Sequence, residues 1–94
     1  MEFSFTGELI EWRGPAPFYF VAIPDQVGSE IKASARLLTY GWGVIPVSAT
    51  IGKTSFTTSL IPRNGVYLLP VKNAARIPEK LELGQQVDVA IKLG

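Results

Sequence analysis

The sequence predicts a mainly β domain of six short, largely antiparallel strands, with one α-helix over about residues 25–39. Three observations lead there. QVDVAIKL (86–93) alternates Val87, Val89, Ile91 and Leu93 with Asp88, Ala90 and Lys92, the period-two pattern of a strand with one buried face. Two turn signals, Gly52-Lys53 and PRNG (62–65), separate runs rich in β-branched and aromatic residues. Only one stretch, with Val27, Ile31, Ala35 and Leu38, carries an apolar repeat of helical spacing.

The elements follow in order. Phe3 and Phe5 alternate with Glu2, Ser4 and Thr6, so the first strand has one apolar face. Leu9 continues that pattern and Trp12 falls off its register, which points to a bulge at Gly7. RGPAP (13–17) is a turn cluster, and FYFVAI (18–23) is an aromatic, β-branched strand that Pro24 ends. Asp25 or Ser29 can cap the helix that follows. Its apolar stripe packs on the sheet, and Gly41 suits its stop.

VIPVSATI (44–51) reads as a strand in which Pro46, lacking an N–H, argues for an edge position or a bulge. TSFTTSLI (54–61) places Phe56, Thr58 and Leu60 on one face, and VYLLPV (66–71) resumes as strand after the PRNG turn. KNAARIPEKLELG (72–84) holds short helical turns at most, with Pro78 suited to a first helical position.

Ninety-four residues form a single domain, 1–94. An apolar fraction of 47% and a mean hydropathy of +0.23 imply either a rich core or apolar surface that a partner covers. The net charge of +1 supplies no global field to recruit nucleic acid or acidic lipid. Residues 1–47 sum to −2 (three bases, five acids) and residues 48–94 to +3 (six bases, three acids).

Cysteine and histidine are both absent. That excludes disulfides, thiolate chemistry, the usual zinc ligand sets and any histidine-dependent triad. It fits a reducing compartment. MEFSFTGELIEW shows no basic segment followed by an apolar run, and no stretch approaches the ~20 apolar residues of a membrane helix. The expected location is the cytoplasm, with no membrane partner and no cofactor.

Several motifs resemble chemistry and dissolve on their spacing. IGKT (51–54) carries the Gly-Lys-Thr of a phosphate loop, but the required earlier glycine is Val47 and both flanks read as strand, so Gly52-Lys53 is a hairpin turn. GWG (41–43) fails as a dinucleotide fingerprint because the third glycine position is Pro46. Trp12 and Trp42 read as packing residues. Glu8 and Glu11, three apart on a strand, fall on opposite faces, and Glu79 and Glu82 read as solvated surface. No base of the usual kind stands ready to activate a hydroxyl, so the chain is not expected to be an enzyme.

One cluster bears on binding. Lys53, Arg63, Lys72, Arg76 and Lys80 fall within 28 residues that include one acid, Glu79, and Thr57, Thr58, Ser59 and Tyr67 add neutral donors. Folded back as hairpins, these groups converge on an anion site or remain scattered solubilising charge. The candidate anion-binding residues are Lys72, Arg76, Arg63 and Ser59. A helical turn beginning at Lys72 would put Lys72 and Arg76, four apart, on one face. Arg offers a two-pronged fork and Lys a point charge, a pairing suited to phosphate or carboxylate.

The order of these features resembles a known family. F-x-G-x-L-x-x-W (Phe5, Gly7, Leu9, Trp12), an aromatic strand ending in Ile-Pro, GWGVIPV, TIGKTSFTTSLIP, YLLPVK, Arg76 and LELGQQVDVAI follow one another as in the small prokaryotic domain of unknown function DUF1905. The resemblance implies a double-split β-barrel, here six-stranded and with its helix across an opening. In longer relatives this domain is fused to a YdeI/OmpD-associated domain. The family brings no catalytic residues, and Lys72 and Arg76 match its basic positions after the YLLPVK strand. RIPEKLELGQQVDV (76–89) is also similar to the arm of AbrB-type regulators, whose swapped dimers bind DNA.

The expected function is therefore a non-enzymatic binding or interaction module for a small anionic ligand or a protein partner, with homo-oligomerisation open. The alternative is a nucleic-acid-binding regulator on an AbrB-like barrel. A pI of about 8.0 weighs against nucleic acid, whose binders concentrate basic charge on one face.

Overall fold

The computed structural model describes residues 2–12, 18–37 and 45–93, with the side chains of 35–37 left aside. In chain order the elements are β1 (Glu2–Trp12), β2 (Phe18–Ala22), α1 (Asp25–Leu37), β3 (Ile45–Ile51), β4 (Thr54–Arg63), β5 (Val66–Pro70), α2 (Asn73–Arg76) and β6 (Gln86–Leu93). The strands close into a barrel in the order β1-β2-β5-β4-β3-β6. Every pairing is antiparallel.

Two long strands divide their partners. Residues 2–8 of β1 pair with β6 and residues 9–12 with β2. Residues 54–60 of β4 pair with β3 and residues 61–63 with β5. The barrel is thus two half-sheets that share β1 and β4, which accounts for its double-split character. Its tight turns are those the sequence marks. Gly52 (φ 58) opens the two-residue β3–β4 loop, and Asn64 and Gly65 (φ 51 and 78) form the β4–β5 loop with both residues left-handed, as a type I′ turn requires.

The register corrects one expectation for β1. Its ladder with β6 runs unbroken from Glu2↔Lys92 through Gly7↔Val87 to Glu8↔Gln86, so Gly7 is not a bulge. A Cβ at Gly7 would run into the carbonyl oxygen of Ala22 and lie 2.7 Å from Val21 Cγ1. Glycine is needed there because the end of β2 crosses close over β1. Trp12 does fall off the inward alternation, as the sequence indicates, but without a bulge. Phe5, Gly7 and Leu9 are buried on the inward face, whereas Trp12 is exposed on the other face with Ile10.

Pro46 lies at a locally one-sided edge position, as expected, and not in a bulge. The β3–β4 ladder is continuous through Pro46↔Ser59, and β6 joins β3 only from Val47↔Leu93 onwards. Pro46 therefore has a neighbour on one side, where its missing N–H costs no second ladder bond.

Inside the barrel, Leu9, Val21, Ile45, Leu60, Leu69 and Ile91 are each at most 2% exposed, and among the described residues none that is buried is polar or charged. β6 alternates as its sequence predicts: Val87, Val89, Ile91 and Leu93 are buried and their neighbours exposed. Phe56 and Leu60 share the core side of β4, as expected.

α1 closes one part of the barrel through Ile31, which is fully buried, and Val27, which packs on the core. The Gly28 N–H donates to the Pro24 carbonyl at 2.8 Å, the first bond of the helix. Asp25 is consequently the first helical residue rather than the cap, and Ser29 lies inside the helix. A carboxylate in that first turn still suits the positive end of the helix dipole. The helix is described as far as Leu37, and the expected end near residue 39 lies outside the described residues. RGPAP, Leu38, Gly41, Trp42 and the side chain of Ala35 lie outside the described residues.

After β5, Lys72 is extended (φ −76, ψ 156) and α2 begins at Asn73. Pro78 does not start a helix. It follows α2 in a turn closed by bonds from the Leu81 N–H to the Arg76 carbonyl (3.0 Å) and from the Lys80 N–H to the Ile77 carbonyl (3.1 Å). With Lys80 left-handed (φ 53), this is a Schellman-type stop.

Candidate functional site

The outer faces of the two half-sheets differ in chemistry. Over β1, β6 and β3 the outward residues are small or polar: Ser4, Ala90 and Thr50 line up across three strands. Thr6 Oγ1 donates to Asp88 Oδ1 at 2.5 Å, and the Thr50 and Ser55 hydroxyls lie 3.0 Å apart. Over β1, β2, β5 and β4 the outward pairs are apolar instead, with Ile10↔Phe20, Trp12↔Phe18 and Ile61↔Leu68.

This apolar face has a roof. Trp12 ends β1 and Arg63 ends β4, with β2 and β5 between those strands, yet the Arg63 guanidinium carbon lies 3.8 Å from the centroid of the Trp12 ring. The Trp12 and Phe18 rings each sit 6.4 Å from Phe20, tilted at 44° and 41°. Phe20 is 5% exposed although it is not part of the barrel core. It anchors a second, external cluster. Trp12, Phe18 and Ile61 remain 51%, 57% and 39% exposed.

Beside the start of β2 lies the corner that leads into α2. The Val71 N–H donates to the Tyr19 carbonyl at 2.9 Å, so the chain leaving β5 still runs along β2. Phe18, Tyr19, Pro70, Val71, Lys72 and Asn73 line a cavity of about 370 Å³. The Arg76 guanidinium carbon stands 4.3 Å from the Tyr19 ring centroid. Arg76 Nη2 donates to Asn73 Oδ1 at 3.1 Å, and Arg76 Nε is buried without a hydrogen-bond partner.

The predicted anion residues are therefore only partly assembled. Lys72 and Arg76 belong to one corner of the barrel: Lys72 is the extended N-cap residue of α2, and its carbonyl accepts from the Arg76 N–H at 2.9 Å, which closes the first turn. Arg63 is committed to Trp12, and Ser59 sits opposite Pro46 in the β3–β4 ladder. Neither lines the cavity.

Sequence reasoning missed Glu79, which is not free surface. Its Oε2 accepts from Thr54 Oγ1 at 2.7 Å and from the Lys53 N–H at 3.3 Å, and a Cβ on Gly52 would strike Oε1. The Gly-Lys-Thr donors that a phosphate loop would turn to its ligand here hold a carboxylate of the same chain. Glu79→Ala is expected to lower stability by about 1–2 kcal/mol, and Thr54→Val by less. Urea denaturation of both and of the double variant should show a clearly sub-additive loss, because one contact is removed twice.

Among the described residues no helix is long and apolar enough to cross a membrane. The structure defines a small, closed, antiparallel β-barrel that carries a helix and an outward aromatic and cationic corner. The chain belongs to the family described as "Domain of unknown function (DUF1905)", whose profile matches residues 5–91. That span reaches from β1 into β6, so the family unit is the barrel itself. No curated protein matches the chain.

Proposed function

We propose that this chain is a non-enzymatic binding module of the prokaryotic cytoplasm, taking a small anionic ligand at the corner formed by β2, the end of β5 and α2. One observation carries the reading. The cavity there combines the Lys72 ammonium and the Asn73 amide with aromatic walls, and none of its lining residues is acidic. The second cation, Arg76, stands over Tyr19 at its edge with an unpartnered Nε–H. A bound anion would offset the repulsion between the two cations. The exposed Trp12, Phe18 and Ile61 with Arg63 support a wider interaction role, since aromatic residues and arginine are enriched where proteins meet partners.

Phosphate or a carboxylate should raise the melting temperature of the parent protein. Occupancy at ~100 times Kd corresponds to about 2.7 kcal/mol. Such ions also stabilise proteins non-specifically, so the readout is the difference between parent and variant. Lys72→Ala with Arg76→Ala should lose most of the rise while keeping the β-type circular dichroism spectrum. A double variant that responds like the parent would refute the site.

A further inference from the structure

Resting on that anion reading, we infer that the ligand carries a flat aromatic ring joined to its anion, and that the ring lies on Phe18. The β2–β5 ladder pairs Phe20 with Pro70, and the Val71 N–H to Tyr19 carbonyl bond carries it one residue further. The next residues opposite each other are Phe18 and Lys72, and Phe18 is paired with Trp12 on its other side. Alternation carried on along that register then places indole, phenyl ring and ammonium in one outward row across β1, β2 and the extended chain leaving β5, at about 5 Å per step.

The members of that row are not equivalent. The Trp12 ring already carries Arg63. Phe18 leans on the buried Phe20 at 6.4 Å, which holds it in place, yet 57% of it stays open. Phe18 and Lys72 also line the same cavity, so the open ring and the cation address one space. At about 370 Å³ that space lies near the small end of ligand sites, which suits one ring and one anionic group rather than a polymer. A ring stacked on Phe18 places a phosphate or carboxylate substituent towards Lys72, and stacking on one aromatic side chain strengthens binding by roughly tenfold or more.

The test is a set of titrations, by calorimetry, with paired probes that share an anion and differ in the ring. Adenosine 5′-monophosphate is compared with ribose 5-phosphate, and benzoate with acetate. In at least one pair the ring-bearing probe should bind about tenfold tighter or more. Phe18→Ala, at an exposed position, should bring that probe down to the level of its ringless partner, and Lys72→Ala should weaken both members of the pair. Equal binding within both pairs, lost in Lys72→Ala, would overturn the ring inference and leave the anion site standing. A ring preference that survives Phe18→Ala would also overturn it. No binding of any probe would remove the anion site and the ring inference together.

Discussion

Gly7→Val should cost at least about 3 kcal/mol, enough to leave much of a marginally stable barrel unfolded. The added Cβ meets the Ala22 carbonyl oxygen and the Val21 side chain, so backbone must move. On its other side β1 is held in an unbroken ladder to β6, with Gly7 opposite Val87. The strand cannot retreat from β2 without breaking that ladder. Ordinary overpacking of a core costs about 1–3 kcal/mol because side chains can rearrange. Here the obstacle is main chain, which places the effect at or above the upper end. Urea denaturation measures it, and a loss below about 1 kcal/mol would show that the β1–β2 crossing is looser than described.

The second large effect is expected at Phe20. Truncation to alanine should cost about 3 kcal/mol, the lower end for a buried phenylalanine, because an external cluster can settle more easily than a barrel interior. Trp12→Ala alone should cost less, since half of that side chain is already exposed. The informative number is the coupling between the two. If Trp12 roofs Phe20, the pair should couple by about 0.5–1.5 kcal/mol, the range for packed aromatic pairs. Additive losses, or a Phe20→Ala cost under about 1 kcal/mol, would mean that the outer cluster contributes little to stability.

Much of the fold was legible in local pattern. β6 shows one buried and one solvated face, so its alternation can be read without ambiguity. The two hairpin loops are marked by glycine at positions that need positive φ. β1 misled for a physical reason. Its first half alternates apolar and polar residues, but beyond Leu9 its outward face is apolar as well, so an outward Trp12 looks like a break in register. Pro46 was legible as an edge position from its missing N–H, although the strand whose end leaves it one-sided, β6, could not be named from local pattern.

The site was less legible than the fold. Lys72 and Arg76 were singled out through charge without acid nearby, and Lys72 is the N-cap of α2 rather than its first helical residue. Glu79 could not be found locally, since Thr54, which it anchors, lies 25 residues away. The contribution of Phe18 depends on which strand lies beside β2, and a linear pattern does not carry that. Composition did carry one hint. The high apolar fraction implied either a rich core or apolar surface, and the structure has both, the surface share resting on Trp12, Phe18 and Ile61.

The seam between β1 and β6 also sets a timetable for folding. Glu2 pairs with Lys92 and Glu8 with Gln86, so β1 finds this neighbour only when β6 emerges. At ordinary rates of synthesis, roughly 80 intervening residues correspond to about 4–16 s. During that interval β1 and β3, the two strands that β6 will separate, present unpaired edges, the arrangement that invites pairing with another chain. The apolar side chains of Phe5, Val47 and Ala49 would be open beside those edges. Solubility of the nascent barrel therefore depends on β6, which closes it, and loss of a few residues from that strand should harm yield out of proportion to the contacts removed.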